Sequence, residues 1–101
     1  MSLNGVDLNL LVVFNAAMQE RHVLRAGQSI GLSPSAVSHA FARLRALFRD
    51  DLFTRTSFGM QPTMRAIEIG PIVRDALSSA ELAVGRLEFN PKTSERSFHF
   101  V

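Results

Sequence analysis

Between Val23 and Phe53 the chain reads VLRAGQSIGLSPSAVSHAFARLRALFRDDLF, and the placing of its small residues restricts what this stretch can become. Two short helices that cross at close range need a residue without bulk at the crossing and one tolerant of left-handed backbone at the turn. Counting Val23 as the first position, Gly27 is fifth, Gly31 ninth and Val37 fifteenth, which orders a crossing, a turn and the buried anchor of a second helix. Gly31 falls just past a short helix over 23–30. Ser33 then caps the next helix, and Pro34 fits its first position, where no amide donor is required. The pattern predicts a helix-turn-helix.

The second helix of the pair is expected from Pro34 to about Phe48, with Val37, Phe41, Leu44 and Phe48 repeating four, three and four apart as one buried stripe. At about 100° per residue, Ser35, Ser38, His39, Ala42 and Arg49 project to the opposite side, with Arg43 and Arg45 flanking them. Small polar groups near the start and arginines further on suit a helix whose first turns face base edges and whose later turns face phosphates. Serines and arginines on an outer face are also ordinary solvated surface, and this segment alone leaves both readings open.

The flanking chain supplies a scaffold. A first helix is expected from Asp7, as its cap, to about Glu20, with Leu8, Leu11, Phe14 and Met18 on one face and Leu10, Val13 and Ala17 widening it. Such a face would lie under the helix-turn-helix and set its angle. Asn15 interrupts this apolar stretch, which is too short to span a bilayer, so no membrane association is expected. In the short helix, Arg25 and Gln28 share a face that would meet phosphate, surface solvation being the alternative for each. After the reader helix, 52–55 and 60–62 form two short strands around Thr56-Ser57-Phe58-Gly59, a wing with Gly59 supplying its turn. Leu52 and Phe53 would fix the wing to the core, leaving Arg55 and the hydroxyls of Thr54, Thr56 and Ser57 near the DNA backbone or minor groove. The alternative for Arg55 is an ion pair with Asp50 or Asp51. Phe58, at the tip, either packs back or meets DNA.

Thr63 is placed to cap a long helix from Met64 to about Phe89, in which Ile69, Val73, Ala76, Ala80, Ala83 and Leu87 recur at alternating spacings of four and three. That is a coiled-coil seam whose central alanines permit close approach, and it predicts a homodimer, an intramolecular seam being the alternative. Ile72, Leu77 and Val84 form a second stripe, free to pack on the chain's own domain. Pro71 within the helix leaves the Ile67 carbonyl without its usual donor and predicts a bend. The last residues, 96–101, alternate like a strand after Asn90-Pro91; lacking a partner strand, they are expected to fray or to dock on a neighbouring molecule.

Charge is unevenly distributed. The formal net charge is only +2 although the isoelectric point is about 10.4, because with no Tyr, no Cys and a single Lys little titrates between neutrality and pH 10. From Arg21 to Arg65 seven arginines face only Asp50 and Asp51, while the remaining chain holds four basic and seven acidic residues. The positive charge lies on the proposed reader. The absence of cysteine excludes a disulfide framework and a thiolate metal site and fits a reducing cytoplasm. His22 and His99 are distant from His39 in sequence, and no carboxylate pair accompanies it, so neither a metal nor a cofactor is expected. No His and Asp arrangement surrounds Ser35 or Ser38 and no glycine loop cradles a phosphate, so an enzyme is not expected.

Several motifs in order, Asp7-Leu8-Asn9-Leu10-Leu11, Ser33-Pro34-Ser35-Ala36-Val37-Ser38, Phe48-Arg49-Asp50-Asp51-Leu52-Phe53-Thr54-Arg55 and Pro62-Thr63, give the chain its resemblance to a known family. It resembles the LysR-type bacterial transcriptional regulators, and within them the branch containing the nodulation regulators. The resemblance implies a mainly α fold: a winged helix-turn-helix over 1–62, a linker and dimerisation helix over 63–89, and at 90–101 the hinge and first strand of a ligand-sensing domain. It implies sequence-specific binding of double-stranded DNA at an interrupted palindrome by a homodimer in the bacterial cytoplasm, at the nucleoid. A tetramer is left open for full-length members, and a small-molecule inducer would act only through the sensing domain. The candidate DNA contacts are Arg25, Gln28, Ser33, Pro34, Ser35, Ser38, His39, Ala42, Arg43, Thr54, Arg55 and Thr63.

Three positions depart from the family pattern. Pro34 stands where Gln is common and offers no amide to a base edge, which shifts specificity toward Ser35, Ser38 and His39. Gly27 replaces an Ala, and Arg65 replaces a Gly, adding either a phosphate contact or a partner for Glu68. The competing function is a winged protein-interaction module with no sequence-specific DNA binding.

Overall fold

The structure, a computed structural model, describes residues 3–88; the strand expected near the C-terminus lies outside the described residues. After a short 3-10 turn at Leu3–Gly5 come α1 (Asn9–Glu20), α2 (Val23–Ser29), α3 (Pro34–Phe48), β1 (Phe53–Thr56), β2 (Gly59–Pro62) and α4 (Met64–Glu88). The expected mainly α winged helix-turn-helix with a long following helix is what forms. Among the described residues, no helix is long and apolar enough to cross a membrane.

The caps explain where the helices start. Ser33 Oγ accepts the Ala36 amide at 3.2 Å and Pro34 occupies the first turn of α3, so α3 has its expected limits. Gly31, at φ +74°, makes the left-handed step of the turn. At the crossing of α2 and α3, a Cβ on Gly27 would come within 2.6 Å of Val37 Cγ2 and 3.0 Å of the Leu32 carbonyl oxygen. Only a hydrogen fits there. α1 is assigned from Asn9, and Asp7 keeps its expected capping role: its Oδ1 accepts the Asn9 amide at 2.9 Å, with Leu8 between them already helical at φ −65°.

The core is built on Phe14, Val37, Leu44 and Leu52, the largest fully buried side chains. Phe14 meets Phe48 and Phe53 at ring-centroid distances of 6.1 and 5.8 Å, and Phe41 stacks on Phe53 at 6.0 Å. Because α1 touches α2, α3 and α4, its covered arc is wide and includes Leu10, Val13, Phe14, Ala16 and Ala17. The face expected for α1 needs correcting at its start: Leu8 precedes the first turn and is exposed. Ala40 joins the stripe of α3.

β1 and β2 pair antiparallel, Phe53 with Pro62 through Thr56 with Gly59, which leaves Ser57 and Phe58 as a two-residue turn. Gly59 opens β2 rather than centring the turn. Its φ is +111°, and an added Cβ would lie 3.0 Å from the Arg21 carbonyl oxygen. That carbonyl accepts the Met60 amide at 3.2 Å, so the α1–α2 connection closes on β2 like a third strand. To reach it, Arg21 adopts left-handed backbone at φ 54°, a conformation costing a residue with a Cβ about 1–2 kcal/mol. The Arg21 Nε–H bond to the Met18 carbonyl at 2.9 Å works against that cost.

The long helix divides lengthwise. Ala66 and Val73 are buried in the chain's own core, with Ile69 and Leu77 packed against it, while Ile72, Leu82 and Val84 are exposed. Two seam positions, Ile69 and Val73, therefore serve the intramolecular contact that was the alternative, and Ile72 and Val84 do not pack on the domain as expected. α4 lies close against α1 at Gly70, where Met18 Cε sits 3.0 Å from the place an added Cβ would take. Ala76, Ala80 and Ala83 remain exposed, and the Leu87 side chain lies outside the described residues.

Candidate nucleic-acid interface

α3 presents its outer face as its caps and stripe dictate. With Val37, Ala40 and Leu44 turned inward, Pro34, Ser35, Ser38, His39, Ala42 and Arg45 are exposed on the side away from the core. Ser35, Ser38 and His39 make no hydrogen bond or ion pair among the described residues, so their polar atoms stand unengaged. Arg43 is 3.5 Å from the Asp7 carboxylate, with the arginine largely and the aspartate partly solvated, so the pair opens at little cost. Arg49 ends the helix at φ 54° and is exposed.

α2 stands beside the start of α3. Gln28 and Pro34 line one shallow depression with Leu24, which places an amide donor next to the position where proline offers none. Arg25 forms a 3.6 Å pair with Glu20, again at the surface. His22 caps α2, its Nδ1 accepting the Arg25 amide at 3.3 Å. That role was not read from the sequence, since cap positions are recognised by Ser, Thr, Asp or Asn. His accepts only through an unprotonated ring nitrogen.

The wing joins the same surface. Arg55 and Thr56 share a cleft of about 330 Å³ with Arg21, His22 and Leu24, and Leu24 also borders the α2–α3 depression. One continuous surface thus runs from wing to α2 to the first turn of α3, without a carboxylate in either depression. Arg55 pairs with neither Asp50 nor Asp51 among the described residues. Two of the three wing hydroxyls are turned to the hairpin itself: Thr54 Oγ1 donates to the Gln61 carbonyl at 3.5 Å and Thr56 Oγ1 to the Gly59 carbonyl at 2.9 Å.

Thr63 is a structural hinge point. Its Oγ1 accepts the Ala66 amide at 3.2 Å, capping α4, and donates to Asp50 Oδ2 at 2.7 Å. The same Asp50 oxygen accepts the Leu52 amide at 2.8 Å. The Thr63 hydroxyl, then the Leu52 amide, then the more distant charge of Arg65 hold the Asp50 carboxyl below its ordinary range, against a partial desolvation that works the other way. Asp50 thus ties the end of α3, the root of the wing and the start of α4 together, with Leu52 buried between them at φ 63°.

A family model described as bacterial regulatory helix-turn-helix protein, lysR family, matches residues 8–66. The chain is 49% identical to Nodulation protein D 2 of Rhizobium tropici, matching over 100% of its own length and 32% of that protein's. It is 47% identical to the HTH-type transcriptional regulator LeuO of Escherichia coli K12, over 96% of its length and 31% of LeuO. The chain therefore spans about a third of the length of these relatives. Among solved structures, a probable transcriptional regulator of Pseudomonas aeruginosa superimposes with a TM-score of 0.77 at 41% identity, over 81% of this chain and 28% of that one. A BenM DNA-binding domain in complex with catB site 1 DNA gives 0.74 at 18% identity, over 82% of this chain and 93% of that one, a likeness of fold.

Proposed function

From a chain that belongs to the lysR family of bacterial regulatory helix-turn-helix proteins, we propose a sequence-specific reader of double-stranded DNA that acts as a homodimer on an interrupted palindrome. The observation that carries this reading is the outer face of α3, where Ser35, Ser38 and His39 stand exposed and unengaged ahead of Arg43 and Arg45. In this reading α3 enters the major groove, Ser35, Ser38 and His39 meet base edges, and Ala42 offers an apolar contact to a thymine methyl. Arg25, Gln28, Arg43 and Arg55 take phosphates, while Ser33, Pro34, Thr54 and Thr63 hold the backbone that carries these groups. The BenM domain of similar fold is solved on DNA, which supports this docking.

Two-fold pairing would use α4. Among the described residues the helix is exposed beyond Leu77, and Ala76, Ala80 and Ala83 give a smooth exposed strip for a second copy. Such a regulator works in the bacterial cytoplasm at the nucleoid, and any small-molecule inducer would act through a sensing domain beyond these residues.

Selection of duplexes from the source genome, followed by fluorescence anisotropy across a salt series, tests the reading. The expected result is preference for a palindromic sequence and affinity that falls steeply with salt. Binding without sequence preference, or a partner protein that protects 35–49 from hydrogen exchange while DNA does not, would favour the protein-interaction module instead.

A further inference from the structure

Phe58 is 90% exposed, the one large apolar side chain bared within the hairpin Phe53–Pro62. Its position is held rather than loose. Thr56 Oγ1 accepts the Phe58 amide at 3.2 Å while donating to the Gly59 carbonyl, so one hydroxyl bridges the turn and aims the ring away from the fold. The hairpin beneath it is anchored through the bond between the Met60 amide and the Arg21 carbonyl. The neighbours of the ring, Arg55, Thr56 and Ser57, are polar and exposed.

We propose that Phe58 is an apolar wedge that enters the minor groove of DNA flanking the site read by α3 and partly unstacks a base step there; the inference rests on the DNA-reading function above. A protein-docking site would need a contiguous apolar patch around the ring, and the wing has none. The minor groove asks for something else. It is about 6 Å wide, admits a hairpin tip but not a helix, and is lined by apolar sugar edges between rows of phosphate. An aromatic tip with an arginine three residues before it, unpaired among the described residues, fits that profile: Arg55 takes the phosphate wall and Phe58 the apolar sugar edges. Proteins that insert such side chains between base steps kink the duplex and gain contact with the bent flank. This makes flexible pyrimidine–purine steps under the wing preferred without any hydrogen bond to them.

The test uses the 101-residue chain and a duplex recovered by selection from a random-sequence pool, with 2-aminopurine replacing adenine in the flank, where unstacking raises its fluorescence. Wild type should brighten the probe on binding. Phe58→Ala should bind about tenfold more weakly, with no brightening and an unchanged slope of log affinity against log salt. Phe58→Leu, which keeps an apolar wedge, should retain most of both signals. Arg55→Ala should instead make the salt slope shallower by about one. Because Phe58 is 90% exposed, thermal melting of Phe58→Ala should match wild type. Equal affinity and equal brightening of wild type and Phe58→Ala would overturn the wedge while leaving the DNA reader intact. A change confined to the sedimentation of Phe58→Ala would overturn it in favour of a protein contact. Failure of wild type to bind any selected duplex would overturn the DNA-reading function itself.

Discussion

At Asp50 a single carboxylate oxygen accepts two hydrogen bonds, one from the Thr63 hydroxyl and one from the Leu52 amide. Both bonds favour the ionised form, so the folded protein holds this carboxyl below the value it has in the unfolded chain. The resulting stability is present above the unfolded value, about pH 4, and is lost as pH falls through the folded one. Urea midpoints measured from pH 7 down to pH 2 should therefore decline more for wild type than for Asp50→Ala, and parallel curves would show that the carboxylate does not contribute. At Gly27 the relevant quantity is space. A methyl group 2.6 Å from Val37 Cγ2 cannot be accommodated without moving α2 against α3, so Gly27→Ala should lose about 1–3 kcal/mol in a urea titration. The same change on an open helix face would be stabilising, so the sign alone decides whether the close crossing is real.

At the level of the element, α2 and α3 were legible because their ends carry local instructions: Ser33-Pro34 starts one, and Gly31 breaks the chain between them. The wing was legible to within one residue. What could not be read was supplied by partners distant in sequence. Gly59 serves the approach of the Arg21 carbonyl as well as its own positive φ. The capping role of His22 was hidden because His accepts a hydrogen bond in only one of its protonation states. For the candidate interface, periodicity was enough to pick the outer face of α3, since exposure follows once the buried stripe is known. It could not show that Ser33 and Thr63 spend their hydroxyl oxygens on amides of their own helices. This gives a division between elements. Ser38→Ala or His39→Ala on α3 should compress the affinity ratio between a selected duplex and a scrambled one by about fivefold to a hundredfold, as expected for a lost base contact of about 1–3 kcal/mol. Ser33→Ala should leave that ratio alone and lower the melting temperature, with a stability loss of about 1 kcal/mol.

For the whole molecule, the long helix has two different halves. Its first turns belong to the domain through Ala66, Ile69, Val73 and Leu77, and among the described residues its later turns carry the exposed apolar groups Leu82 and Val84. The repeat read as one seam is thus shared between two tasks, a split that sequence spacing does not disclose because both faces repeat at nearly the same interval. An Ala80→Glu substitution should leave the fold intact and shift sedimentation from dimer to monomer at micromolar concentration, with a matching loss of affinity for a palindrome but not for a half-site. A variant that still sediments as a dimer would place the contact elsewhere. If, as proposed, one side of α4 is locked to the winged domain and another takes a second copy, the helix also sets a phase. One residue inserted after Leu77 would turn everything beyond it by about 100° and advance it by about 1.5 Å relative to the reader. Two readers joined that way would address DNA faces out of step with each other, so the number of residues between the buried and bare halves of α4 is itself a determinant of which spacing of half-sites the pair can grip.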